Sequence, residues 1–135
     1  MASMYDRELV RDILSQVLEA AETVRQRFAP VKNADFFTSS PQGMEKLDAI
    51  CMQLIAIGES LKNLDKVTDG TLLAEYPEID WRGAKGMRDI ISHHYFDIDA
   101  EAIYDVCAAK LGPLAEAIDK MIKDIDKNGG RLRHE

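Results

Sequence analysis

Apolar residues recur along this chain at alternating spacings of four and three, the rhythm of one face of an α-helix. Val10, Leu14, Val17, Ala21, Val24 and Phe28 form such a stripe. They predict a first long helix from Tyr5 to about Phe28, which Pro30 ends because proline has no N–H to continue the ladder. The segment from there to Pro41 reads as loop, with turn residues in Ser39-Ser40-Pro41. Leu47, Cys51, Leu54, Gly58 and Leu61 restore the rhythm, and Ile50, Ile57 and Leu64 widen it. A second helix from about Gln42 to Leu64 is therefore expected to sit centrally in the core. Gly58 is its odd member. A glycine inside a helix costs about 1 kcal/mol relative to alanine, which is tolerable where another backbone packs closely.

Lys66 to Asp80 reads as a connector with a short helical turn near Thr71 to Glu75. Tyr76 precedes Pro77 and so avoids the helical region. Asp80 is a plausible N-cap for a helix over Trp81 to Ser92, which Gly83 and Gly86 weaken. Asp99 caps the last long helix, Ala100 to about Lys127, with its stripe at Ile103, Cys107, Leu111, Leu114, Ile118, Met121 and Ile125. Gly112-Pro113 is expected to kink it, and Asn128-Gly129-Gly130 to stop it. Residues 128–135 then form a flexible tail, with Arg131 and Arg133 as tail charges or as a basic tail near RNA. No segment alternates with period two. The chain reads as one all-α domain over residues 1–135, an up-and-down four-helix bundle with a short extra helix or connector. Trp81 is expected to pack a helix start and Tyr104 to be a helix-surface or half-buried aromatic. Met44, Met52, Met87 and Met121 read as core fillers.

Composition narrows the function classes. With 135 residues, 46% of them hydrophobic, the chain can bury a core without disulfides or a structural metal. Cys51 and Cys107 both fall inside apolar helical patterns and read as small core residues. No cysteine–histidine spacing suggests zinc, and neither metal nor cofactor is expected. The net charge is −7, which argues against coating nucleic acid through bulk charge; an RNA site would have to be local. No apolar run approaches the roughly 18 residues of a membrane span. The first residues lack the pattern of a signal peptide. A cytoplasmic protein with no membrane partner is expected.

One stretch departs from core plus solvated face: Arg88-Asp89-Ile90-Ile91-Ser92-His93-His94-Tyr95-Phe96. Read structurally, it is a helix C-terminus, where the macrodipole favours histidines, with Tyr95 and Phe96 plugging the core. Read chemically, it holds a proton carrier for neutral pH and a permanently charged phosphate fork. Together these suit phosphodiester cleavage without a metal. A base activates the ribose 2′-OH, and the guanidinium holds the charge developing on the phosphate. Asp89 is placed to orient the arginine or a histidine. Arg88 and Tyr95, seven apart, share a face if the helix continues. Arg88 and His93, five apart, point about 140° away from each other. They converge if the helix ends near Ser92, if the arginine reaches across, or if a two-fold dimer joins two motifs in one cleft.

The stretch resembles the R-x4-H-x-Y signature of the HepT-like toxins in the HEPN superfamily. Ile57-Gly58-Glu59-Ser60 is similar to that family's Ile-Gly-Glu-Ala segment, and Tyr76-Pro77-Glu78-Ile79-Asp80-Trp81-Arg82 to its Tyr-Pro-Glu-Ile-Pro-Trp segment. The ordered set is far more specific than R-x4-H alone. The resemblance implies a helical bundle that dimerises around the motif and acts as a metal-independent endoribonuclease toxin. Its partner would be a small MNT-type nucleotidyltransferase antitoxin that transfers AMP to the motif tyrosine. It implies Arg88 as the phosphate-gripping residue, His93 as catalytic base or acid, and Tyr95 as AMP acceptor. Asp89 stands where the family usually has asparagine, and a carboxylate is less welcoming to an RNA phosphate. His94 stands where glutamate is common; it either substitutes for His93 or lies at the surface.

Two readings of function follow. One is the ribonuclease toxin of a type VII HepT/MNT-type toxin–antitoxin system. The other is a non-catalytic helical subunit that binds a nucleotidyltransferase partner or a nucleotide, since motif and fold do not guarantee activity. A di-metal carboxylate bundle fits poorly because no Glu-x-x-His pair is present; Glu101 to Tyr104 has the spacing without the histidine.

Overall fold

The computed structural model describes residues 6–93 and 99–133, with the side chains of Ile90, Ser92, His93 and residues 129–133 excepted. Helix α1 spans Arg7–Phe28. It starts one residue after Asp6, whose carboxylate accepts a hydrogen bond from the Leu9 N–H at 3.1 Å, satisfying one of the free donors at the helix start. Helix α3 spans Pro41–Val67. The Ser40 hydroxyl accepts from the Gly43 N–H at 3.0 Å, and Pro41 sits in the first turn, where its missing N–H costs nothing. Both helices bury the stripes the spacing predicts: Val10, Leu14, Val17, Ala21 and Val24 on α1, and Leu47 through Leu64 on α3.

Between them lies a helix the periodicity does not reveal. The expected loop contains α2, Asp35–Thr38, a single turn that drives Phe37 fully into the core. Four residues are too few to show a period. The sequence does provide for its seat, because a Cβ on Gly43 would collide with the Phe36 carbonyl. Only glycine lets α2 lie this close to the start of α3. The next turn, α4 (Thr71–Ala74), buries Leu72 and Leu73. Past it, the Tyr76 hydroxyl donates to the Asp124 carboxylate at 2.6 Å. The Trp81 indole donates to the Tyr76 carbonyl at 2.8 Å. Trp81 thus packs a helix start, as expected.

That helix is not continuous. Asp80 caps α5, Trp81–Lys85, by accepting from the Gly83 N–H at 3.0 Å. The chain then breaks at Gly86 and resumes as α6, Met87–His93. Asp99 caps α7, Ala100–Asp105. A π-helical turn over Val106–Lys110 leads into α8, Leu111–Arg133. The expected interruption at Gly112-Pro113 takes this form for a steric reason. The proline ring would press on the carbonyl four residues back, that of Ala109, and a widened turn moves that carbonyl aside. Helix α8 also continues through Asn128-Gly129-Gly130, where a stop was expected. Glycines raise the cost of a helix, but no proline follows to forbid it.

Helix α1 packs between α3 and α8, while α3 also carries α5 and α6 on its other flank. This is an all-α bundle, and no strand occurs among the described residues. No described helix is long and apolar enough to cross a membrane. The methionines divide. Met121 is buried and Met87 partly buried, but Met44 and Met52 are exposed, Met52 by 67%. Met52 follows Cys51, so it is rotated about 100° off the buried stripe of α3. Tyr104 is half-buried, edge-on to Phe28, and donates to the Lys32 carbonyl at 3.1 Å.

Cys51 and Cys107 are free, buried thiols. Burial pushes them up to about 11 and about 12, respectively. Unfolding releases both to ordinary values, so the unfolded chain ionises first as pH rises. Their contribution to stability is therefore complete below pH about 8.5 and is lost between there and pH 12. Urea unfolding midpoints should fall across that window, and a Cys51→Ala/Cys107→Ala protein should show a shallower fall. Equal slopes would refute this account.

Candidate active site

The site begins with Gly58. A Cβ there would stand 3.1 Å from the Ala84 carbonyl oxygen and 3.4 Å from that of Lys85. The glycine lets α3 press its backbone against the α5–α6 junction, the close packing expected of it. The same approach brings the next residue, Glu59, onto α6. Its Oε1 lies 2.6 Å from Nε of Arg88. Three residues on, Lys62 Nζ is 3.9 Å from the Asp89 carboxylate. Three further on, Asp65 meets Lys85 Nζ at 2.5 Å.

One face of α3, with acid, base and acid at positions 59, 62 and 65, thus opposes base, acid and base at 88, 89 and 85. These six charges sum to zero. The Arg88 and Glu59 side chains are about half exposed, at 51% and 45%, and Asp89 is more so at 61%. Asp89 was expected to orient the arginine or a histidine. Its observed partner is Lys62, and the carboxylate on Arg88 is Glu59. Sequence reasoning noted Glu59 without a partner and missed Lys62, Asp65 and Lys85. The available signal was the three-residue spacing of alternating charge after Gly58.

Arg88 is the second residue of α6 and His93 its last. The helix runs unbroken between them and ends at His93, one residue past Ser92. Helical positions 88 and 93 face about 140° apart and are separated by about 7.5 Å along the axis. The His93 side chain, and His94, Tyr95 and Phe96 entirely, lie outside the described residues. So does the shared face expected for Arg88 and Tyr95.

A cavity of about 470 Å³ opens nearby, between α3, residues 78–80, α5, α6, α7, the π turn and the start of α8. Leu54, Ile57, Met87, Ile103 and Leu114 give it an apolar lining, and neither Arg88 nor Asp89 contributes to it. Among its described lining residues Lys110 is cationic, and no guanidinium fork is present for an anionic ligand. Among the described residues, no group of three or more His, Cys, Asp or Glu is arranged to hold a metal ion.

A family model described as Ribonuclease HepT-like matches residues 8–121. A candidate RNase of Methanocaldococcus jannaschii is 36% identical over 78 residues, covering 58% of this chain and 61% of that protein. A second protein of that archaeon, named gamma-glutamylcyclotransferase and candidate RNase, is 30% identical over 122 residues, 90% of this chain and 51% of its own length. A candidate ribonuclease HepT of Thermococcus cleftensis is 27% identical over 113 residues, 84% of this chain and 96% of that protein. The chain therefore spans about half to three fifths of the first two relatives and nearly all of the third. No solved structure gives a significant match.

Proposed function

Because the chain belongs to the HepT-like ribonuclease family, we propose that it is the toxin of a type VII HepT/MNT-type pair, a cytoplasmic endoribonuclease that cuts RNA without a metal. His93 takes the proton from a ribose 2′-OH, whose oxygen attacks the adjacent phosphorus. The bond from phosphorus to the 5′-oxygen breaks, and that oxygen receives a proton from solvent, to which His93 releases the one it took. Arg88 holds the charge that builds on the phosphoryl oxygens. The products are a 2′,3′-cyclic phosphate and a free 5′-OH.

The observation that carries this reading is Arg88 itself, a half-exposed guanidinium in an R-x4-H pattern within a matching family. The unbroken run of α6 to His93 supports a homodimer in which Arg88 of one chain serves the phosphate and His93 of the other the 2′-OH. An MNT-type nucleotidyltransferase acts as antitoxin. The Tyr95 phenol attacks the α-phosphorus of ATP, pyrophosphate leaves, and the bound AMP adds bulk and negative charge that repel RNA.

The test uses one RNA and its copy carrying a single 2′-deoxy residue at the cut position, in chelator. Cleavage of the first alone, leaving a cyclic phosphate, is the expected result. Incubation with the nucleotidyltransferase and ATP should add AMP mass to the peptide carrying Tyr95 and stop cleavage, and Tyr95→Phe should escape both. Equal modification and silencing of Tyr95→Phe would refute the tyrosine's role. Partner or nucleotide binding without any RNA cleavage would make the chain the non-catalytic subunit instead.

A further inference from the structure

Arg88 is ion-paired at one edge. Glu59 stands against its Nε at 2.6 Å, and no other group among the described residues pairs with it. We propose that Glu59 is a positioning residue for RNA cleavage: it fixes the Nε edge of Arg88 so that the Nη edge is presented to the scissile phosphate. This rests on the reading of Arg88 as the phosphate-gripping group.

Three observations carry the proposal. The first is the contact itself, placed by the approach of α3 at Gly58, where the Arg88 backbone nitrogen lies 3.7 Å from a built Cβ. The contact therefore springs from a close helix–helix seam rather than from a loop. The second is exposure. A pair half open to water adds little to fold stability, so its effect belongs to where the guanidinium points. The third is the local charge. Glu59, Lys62 and Asp65 face Arg88, Asp89 and Lys85 with no net charge between them. A phosphate arriving here meets no surplus positive field. Its recognition depends on the direction of one donor fork, which is the property a tether controls. Lys62 meanwhile offsets the Asp89 carboxylate, which would otherwise repel the phosphate.

The experiment is a cycle of Glu59→Ala and Arg88→Lys with RNA cleavage kinetics, alongside ¹⁵N relaxation of the arginine Nε–H groups. Glu59→Ala should lower kcat about tenfold, since loss of orientation alone reaches that size. KM should be unchanged or lower, and the melting temperature unmoved. In the Arg88→Lys background, which lacks the guanidinium fork, Glu59→Ala should cost nothing further. The order parameter of Arg88 Nε–H should drop in Glu59→Ala while that of Arg82 stays constant.

An equal loss in both backgrounds, a gain in kcat, or an unchanged Arg88 order parameter overturns the proposal. Arg88→Ala separates the two levels. If it cuts as wild type, the reading of Arg88 fails; if it is dead while Glu59→Ala is fully active, only the positioning role fails. The relaxation measurement decides the tether even for a chain that cuts no RNA.

Discussion

Arg88→Ala is expected to lower RNA cleavage by about 10²–10³-fold, the usual loss when one group stabilising transition-state charge is removed. The guanidinium is half exposed and its ion pair with Glu59 lies at the surface. Water therefore replaces it without leaving a buried charge, and the melting temperature should hold within a few degrees. His93→Ala should lose about 10²–10⁴-fold for a different reason, the loss of proton transfer. Wild-type cleavage should depend on pH through the proton that His93 carries. In Arg88→Ala the rate falls but that pH profile persists, whereas in His93→Ala the profile itself flattens. His94→Ala distinguishes the two histidines: it should keep both rate and profile. Initial rates on a short fluorescent RNA, paired with growth arrest on expression, read all three. If Arg88→Ala and His93→Ala both remain fully toxic and active, the assignment of the site is wrong.

The long helices were legible because a stripe of buried residues repeats for five or six turns, long enough to define a face. The caps at Asp80 and Asp99 were legible because a single side chain signs them. What escaped has no repeat to read. Helix α2 is one turn, so its plug, Phe37, carries no period. The break at Gly86 changes backbone path without changing the apolar pattern, and Gly112-Pro113 signals an interruption of the last helix but not its π form. Met52 shows a further gap, since residue type suggested burial where helical phase excluded it. The candidate site divides in the same way. Arg88 and His93 stand out from their own spacing within one helix. Glu59 on Arg88 does not, because an ion pair between helices depends on their mutual register. That register is set by Gly58 against the Ala84 carbonyl, a contact the sequence hints at only as a glycine where a helix would prefer alanine.

Mixing two inactive variants should restore activity. With α6 helical from Met87 to His93, positions 88 and 93 face about 140° apart, so one chain does not readily aim both at the same phosphodiester. In the proposed two-fold dimer each cleft would instead take Arg88 from one chain and His93 from the other. Consider a dimer of Arg88→Ala with His93→Ala. One cleft receives both alanines and is dead. The other receives the intact arginine and the intact histidine and works. Random re-assortment makes about half of the dimers mixed, each with one working cleft of two, so the mixture should recover about a quarter of wild-type activity. Either variant alone should stay 100-fold or more below wild type, on the order of the single-group losses. The measurement is cleavage rate after co-refolding or co-expressing differently tagged variants, with the mixed dimer purified on both tags. A mixed dimer as inactive as its parents would mean that Arg88 and His93 of one chain act together, despite the helical phase that separates them.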